Sequence, residues 1–171
     1  MPFRYKVIGL VSALFQKISS LYWSIIYKNL RFKYKLPDDF RFNGKNILFY
    51  GEGQIKIGSG SYIGELSSIQ ACANYNVTIG KGCQISHNVR IYTKTLEADC
   101  DFSKTIKDHK GGNVTINDFC WIGANVFIKP GITIGKNSVV GANSIVTKDI
   151  PEFQIWGGNP ARLIRAKRLP V

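Results

Sequence analysis

Ile116, Ile122, Ile128, Ile134, Val140 and Val146 are aliphatic residues that recur every six positions without a miss. The same register runs through Ile57, Ile63 and Ile69, and again through Ile79, Ile85 and Ile91. A glycine often follows directly (Gly58, Gly64, Gly80, Gly123, Gly135, Gly141), and four residues after the aliphatic position stands a small or modest side chain such as Ser61, Ser67, Cys83, Cys120 or Ser138. A helix repeats at about 3.6 residues and a strand at about 2, so neither produces a period of six. A coil with three short flat faces does. Each face takes one six-residue unit with its turn, eighteen residues close a circuit, and circuits stack at the strand spacing of about 4.8 Å. The aliphatic side chains then fill a triangular core, and Gly or Asn accommodates the tight corners. Residues 57–74, 79–96 and 116–151 supply about four such coils, with 43–56 as a lead-in.

The period breaks twice. Ile69 to Ile79 is ten residues, four more than the repeat needs, and Ile91 to Ile116 is twenty-five, one repeat plus about nineteen extra residues. The polar insertion at about 97–112 (EADCDFSKTIKDHKGG) must leave the coil as a loop, and a loop of that length in a compact domain is functional or disordered.

Charge divides the chain of 171 residues, whose net charge is +12. Residues 1–35 hold seven basic residues (Arg4, Lys6, Lys17, Lys28, Arg31, Lys33, Lys35) and no acid, and residues 159–171 hold four (Arg162, Arg165, Lys167, Arg168) and no acid. The part between is nearly neutral. This predicts three segments: a basic amphipathic helical segment at 1–42, a repeat domain at 43–153, and a C-terminal turn with a basic tail at 154–171. In the first, Val7, Val11, Leu14, Ile18, Leu21 and Ile25 form one apolar helical stripe, with Ser12, Lys17, Ser20, Ser24 and Lys28 away from it. Such a stripe packs on the protein or a partner subunit, or, helped by Tyr22 and Trp23, lies on an anionic membrane surface. No secretory signal and no membrane span are expected, because Lys17 interrupts the apolar run. Cys72, Cys83, Cys100 and Cys120 lack C-x-x-C spacing and a close His partner, which predicts reduced thiols in a cytoplasmic protein and no metal site.

The stretch WIGANVFIKPGITIGKNSVVGANSIVTKDIP followed by GGNPARLIR resembles the hexapeptide-repeat acyltransferases, most closely the sugar O-acetyltransferases of the maltose, galactoside and polysaccharide type. The likeness covers about residues 47–168. It implies an all-β, left-handed parallel β-helix, here of about 4–5 coils with one long loop at about 97–112 and an N-terminal amphipathic helical segment. It also implies a homotrimer with active sites between subunits, acetyl-CoA as co-substrate without a metal, and a carbohydrate acceptor, lipid-linked where the enzyme works at the inner face of the cell membrane in O-antigen or capsule biosynthesis.

The chemistry needs a base that takes the proton of a sugar hydroxyl as it attacks the thioester carbonyl, typically worth about 10²–10⁴-fold, and a donor for the resulting oxyanion. The maltose and galactoside enzymes carry their base in a Tyr-Thr-x-x-His stretch, and the matching run IYTKTL puts Leu96 at that place. The serine acetyltransferases place a His third in a repeat and a second at the end of the loop, which matches His87 and His109, the two histidines of the chain. The resemblance therefore points to His87 as general base, with His109 supporting or replacing it and Asn88 beside it. Asp99, Asp101 and Asp108 are candidates for binding acceptor hydroxyls or for orienting an imidazole. Trp121 matches a Trp lining the family's active site, Ala124 and Ala142 match positions along the pantetheine arm, and Thr147 and Lys148 match positions near the adenine. Arg162 and Arg165 match residues near the CoA phosphates, brought round by Gly157, Gly158, Asn159 and Pro160. Other classes compete less well. A metal-dependent hydratase on this scaffold needs three histidines, and no nucleic-acid motif or basic, aromatic-interleaved face is present in the repeats. N-acetylation of an amino sugar and an inactive trimeric scaffold stay as alternatives.

Overall fold

The computed structural model describes residues 3–168. Residues 1–2 and 169–171, which open and close the expected terminal segments, and the side chains of Phe3 and Arg4 lie outside what it describes. The chain opens with a helix, α1 (Phe3–Tyr34), and then winds into the coil that the period demands. The first strand, β1 (Arg41–Asn43), is followed by β2 (Leu48–Tyr50), β3 (Ile55–Ile57) and β4 (Tyr62–Gly64), then by β5 (Ser68–Gln70), β6 (Val77–Ile79) and β7 (Gln84–Ile85). The third coil is β8 (Arg90–Tyr92), a hairpin of β9 (Lys94–Leu96) and β10 (His109–Gly111), β11 (Val114–Ile116) and β12 (Trp121–Ile122). Then come β13 (Phe127–Ile128), β14 (Thr133–Ile134) and β15 (Val139–Val140), and finally β16 (Ile145–Val146), β17 (Gln154–Gly157) and β18 (Arg162–Ala166).

Strands from successive coils pair in parallel and make three faces. Face A stacks β1, β4, β7, β12, β15 and β17, with β18 antiparallel at its end; face B stacks β2, β5, β8, β13 and β16; face C stacks β3, β6, β11 and β14. The fold is thus the left-handed parallel β-helix, with five circuits, the last closing face C through the bridge of Ile134 to Ile150. The lead-in at 43–56 is itself a circuit, starting at Arg41, two residues before the boundary that the repeat predicts.

The registers explain why the aliphatic period survives. Ile57, Ile79, Ile116 and Ile134 stand one above another on face C, and Ile69, Ile91, Ile128 and Val146 do so on face B. All are buried. Each fully buried aliphatic contributes roughly 1.5–3 kcal/mol, so a one-residue slip would expose a whole column. At the corner between A and B the chain turns with positive φ at Asn46, Leu66, Asn88, Asn125 and Asn143. Asn88 Nδ2 donates to Asn125 Oδ1 at 2.9 Å, and Asn125 Nδ2 donates to Asn143 Oδ1 at 2.9 Å. This ladder ties the corners of three successive circuits together through their side chains.

The C-terminal half of α1 caps the first circuit. Leu30 and Tyr34 are buried with Leu36 and Phe40, Tyr27 stacks on Phe42 with centroids 4.2 Å apart, and the Tyr27 hydroxyl donates to the Gly44 carbonyl at 2.9 Å. Arg31 holds the turn after the helix by donating to the carbonyls of Pro37 and Phe40. Residues 5–18 are exposed on every side. Cys83 and Cys120 occupy the small-side-chain column and are buried, and all four cysteines are free.

Candidate active site

The long insertion is not a plain loop. It leaves the corner between faces B and C on a two-stranded antiparallel stalk in which His109 faces Leu96, Lys110 faces Thr95 and Gly111 faces Lys94. The stalk begins at Lys94, three residues before the loop that the break in the period predicts. Thr93 anchors its base: the buried Oγ1 donates to the Gln70 carbonyl at 3.1 Å and accepts from the Cys72 amide at 2.9 Å. The stalk then leans on Tyr75, which sits in the other, four-residue interruption. A Cβ on Gly111 would come within 2.3 Å of the Tyr75 ring, so a larger residue there would have to push the ring aside. The two breaks in the period form one structural unit. At the apex Asp101 accepts from the Ser103 hydroxyl at 2.7 Å and its amide at 3.0 Å. These bonds hold its carboxyl below the usual carboxylate range. Asp108 joins through its backbone, accepting from the Glu97 amide.

His87 lies elsewhere, on the corner between faces A and B. Backbone bonds from Asn88 to Glu65, from Asn125 to His87 and from Asn143 to Ala124 set Glu65, His87, Ala124 and Ala142 in one column along that corner. His87 and His109 are both exposed, and they leave the β-helix at different corners. Asn88 has its amide in the ladder, and its Oδ1 accepts from Arg90 at 3.2 Å; no bond joins it to His87.

The donor-side residues divide likewise. Trp121, 53% exposed, stands on face A in a column with Tyr62, Gln84, Val139 and Ile155. It shares a groove of about 640 Å³ with Arg165, Lys167 and Arg168, and no acidic residue lines that groove. Such a cationic lining fits a phosphate-bearing ligand. Arg162 and Arg165 project from β18, whose return brings them over the end of face A. Gly158 and Asn159 close the A/B corner below Ala142: the Gly158 amide donates to Ser144 Oγ at 3.0 Å and its carbonyl accepts from Ile145. Thr147 and Lys148 follow β16 toward the B/C corner. The expected residues therefore form two tracks on one subunit and not one closed pocket. Among the described residues no cluster of three or more His, Cys, Asp or Glu could hold a metal ion. The periodicity did not single out Tyr75, Gly111 or Glu65; the four extra residues after Ile69 pointed near Tyr75, the insertion at 97–112 contains Gly111, and nothing pointed to Glu65.

A stacked prism with one hairpin at a corner and a basic return strand at its end is the architecture of hexapeptide-repeat transferases. Residues 113–148 match the family model described as bacterial transferase hexapeptide (six repeats). The maltose O-acetyltransferase from Clostridium difficile 630 is 33% identical with a TM-score of 0.61, covering 77% of this chain and 72% of that one. The chain belongs to the hexapeptide-repeat transferase family. It is also similar to a hexapeptide-repeat acetyltransferase from Vibrio cholerae crystallised with acetyl-coenzyme A, at 29% identity and a TM-score of 0.61 over 76% of this chain and 72% of that one. The galactoside O-acetyltransferase of Escherichia coli (strain K12) is 42% identical over 92 residues, 54% of this chain and 45% of that protein. The chain spans about half the length of the curated relatives it matches.

Proposed function

We propose that this protein transfers an acetyl group from acetyl-CoA to a sugar hydroxyl, as a homotrimer with its active sites between subunits. The observation that carries the reading is the pairing of His109 with Leu96. Directly opposed residues of an antiparallel pair project from the same face with Cβ atoms about 4.5–5.5 Å apart. His109 thus delivers an imidazole to the place where Leu96 stands, the position at which the resembling maltose and galactoside enzymes carry their base. His109 takes the proton of the acceptor hydroxyl, and its charged form then returns that proton to the departing thiolate. Acetyl-CoA supplies the thioester. His87 heads the column of Ala124 and Ala142, so it faces the donor arm, and Arg162 and Arg165 hold phosphates. The separation of the two histidines on different corners supports a site completed by the neighbouring subunit, because a closed ring of copies brings two unlike surfaces together.

The acceptor is proposed to be a lipid-linked sugar of cell-surface polysaccharide assembly, met at the cytoplasmic face of the cell membrane. The test is acetyl transfer to sugar acceptors with His109→Ala, paired with calorimetry of CoA binding. The variant is expected to lose about 10²–10⁴-fold in kcat while binding CoA unchanged. Wild-type protein that binds no CoA would leave a scaffold, and an alkali-stable product would mean N-acetylation.

A further inference from the structure

About five turns of α1 carry an apolar surface that nothing in the subunit covers. Trp23, Tyr27, Leu30 and Tyr34 turn inward and hold the helix to the first circuit. The opposite face carries Val7, Val11, Leu14, Ile18, Leu21 and Ile25, all exposed, with Ile18 at 54%. Ile8, Phe15 and Tyr22 widen it on one side and Leu10 on the other, so that at about 100° per residue the apolar arc covers roughly 160° of the circumference. Lys6, Lys17 and Lys28 are spaced eleven residues apart. Eleven residues are about three turns, so the three lysines form one line along the edge of that arc. Beside the same edge, where α1 meets the first circuit, a crevice of about 900 Å³ is lined by Lys28, Arg31, Arg41 and Lys45 with no acidic residue.

We infer that α1 is a docking helix that lies in the plane of an anionic lipid bilayer, with its apolar arc in the headgroup boundary and its lysine line on the lipid phosphates. An apolar face of this kind sinks about 5–10 Å into the boundary. No helix among the described residues is long and apolar enough to cross a membrane; α1 has the length, at 32 residues, but not the apolar run. Association of α1 with the same helix of another copy is disfavoured by charge. Helix pairs set their register by opposite charges flanking the seam, and α1 contains no Asp or Glu to meet the lysine line. An arc of roughly 160° is also wider than a seam with two apolar positions per heptad requires. Bound this way, the inward stripe holds the prism on the cytoplasmic side of the helix, beside the headgroups. The docking rests on the peripheral location proposed above and not on acetyl transfer.

The experiment is sedimentation of the full chain with vesicles of phosphatidylcholine alone and of phosphatidylcholine mixed with phosphatidylglycerol, at low and high salt. The protein is expected to sediment with the anionic vesicles and not the neutral ones, and to be released by salt. A Lys6→Gln, Lys17→Gln, Lys28→Gln variant is expected to bind about a hundredfold more weakly, at about fivefold per lysine. Leu14→Ser with Ile18→Ser, both exposed and so compatible with the fold, is expected to abolish binding while transfer to a soluble acceptor continues. Wild-type protein left in the supernatant, or serine variants that bind as well as the parent, overturns the docking. Serine variants that form a smaller assembly by light scattering also overturn it, because the arc then joins copies. Loss of transfer with vesicle binding intact would count against the enzymatic reading alone.

Discussion

Leu96 and His109 face each other across the antiparallel stalk that rises from the corner between faces B and C, and both side chains are exposed. Their chain separation is thirteen residues, yet the pairing presents them on one side of the hairpin. The stalk is held at its base by Thr93 and at its flank by the close approach of Gly111 to Tyr75. A base carried on such a stalk is positioned by two anchored strands and not by a free loop.

Moving the imidazole one strand across should therefore preserve part of its action. In a His109→Ala background, Leu96→His is expected to regain at least tenfold of the lost kcat, a figure on the order of one decade out of the 10²–10⁴ that a base contributes. Steady-state kinetics on the single and double variants checks this. A double variant no faster than His109→Ala would show that the histidine acts from another place.

The asparagine ladder at the A/B corner gives a stability prediction. Leu66 occupies the same corner column as Asn88, Asn125 and Asn143 and has φ 64°, a left-handed conformation, with its side chain exposed. That conformation costs an ordinary residue roughly 1–2 kcal/mol and asparagine less. Leu66→Asn is expected to stabilise the fold by about 1 kcal/mol, a Tm rise of about 2–4 °C. Asn125→Ala, which loses a bond on either side and keeps φ 60°, is expected to cost about 3 kcal/mol. Asn125→Gly is expected to cost less, because glycine adopts this φ freely. Thermal melts of the three variants decide the order.

The cysteines should separate by burial. Cys83 Sγ donates to the Asn117 carbonyl and Cys120 Sγ to the Gly135 carbonyl, each at 3.1 Å. The neighbouring Cys83, and burial after it, push the Cys120 thiol up. The thiolate is the reactive form. At neutral pH, Cys72 and Cys100, both half-buried, are expected to react with a maleimide, while Cys83 and Cys120 react only after unfolding. Mass spectrometry of timed labelling checks the pattern, and fast labelling of Cys120 would contradict the buried column.

Much of the architecture is legible in the sequence. The period of six placed Ile57, Ile79, Ile116 and Ile134 in one buried column, and the stacked registers place them there. Repetition makes this readable: every circuit solves the same burial problem, so the pattern is local and printed several times over. The basic ends were also legible, since charge is a property of composition.

The candidate site was less so. The resemblance to the serine acetyltransferases points to His87 as the base, with Asn88 beside it. The structure puts His87 on the A/B corner above Ala124 and turns the Asn88 amide into the ladder. The sequence places His109 at the end of a loop, and no periodic signal shows that it pairs with Leu96. Cross-strand pairing in a single hairpin depends on where the chain turns back, on the support of Tyr75 under Gly111, and on the anchor at Thr93. The sequence by itself determined the coil, its buried columns and the division of charge, because burial enforces them at every repeat. Only the tertiary structure decided that His109 rises on a stalk at the corner between faces B and C and that it faces Leu96, because those relationships arise where the repeat is broken.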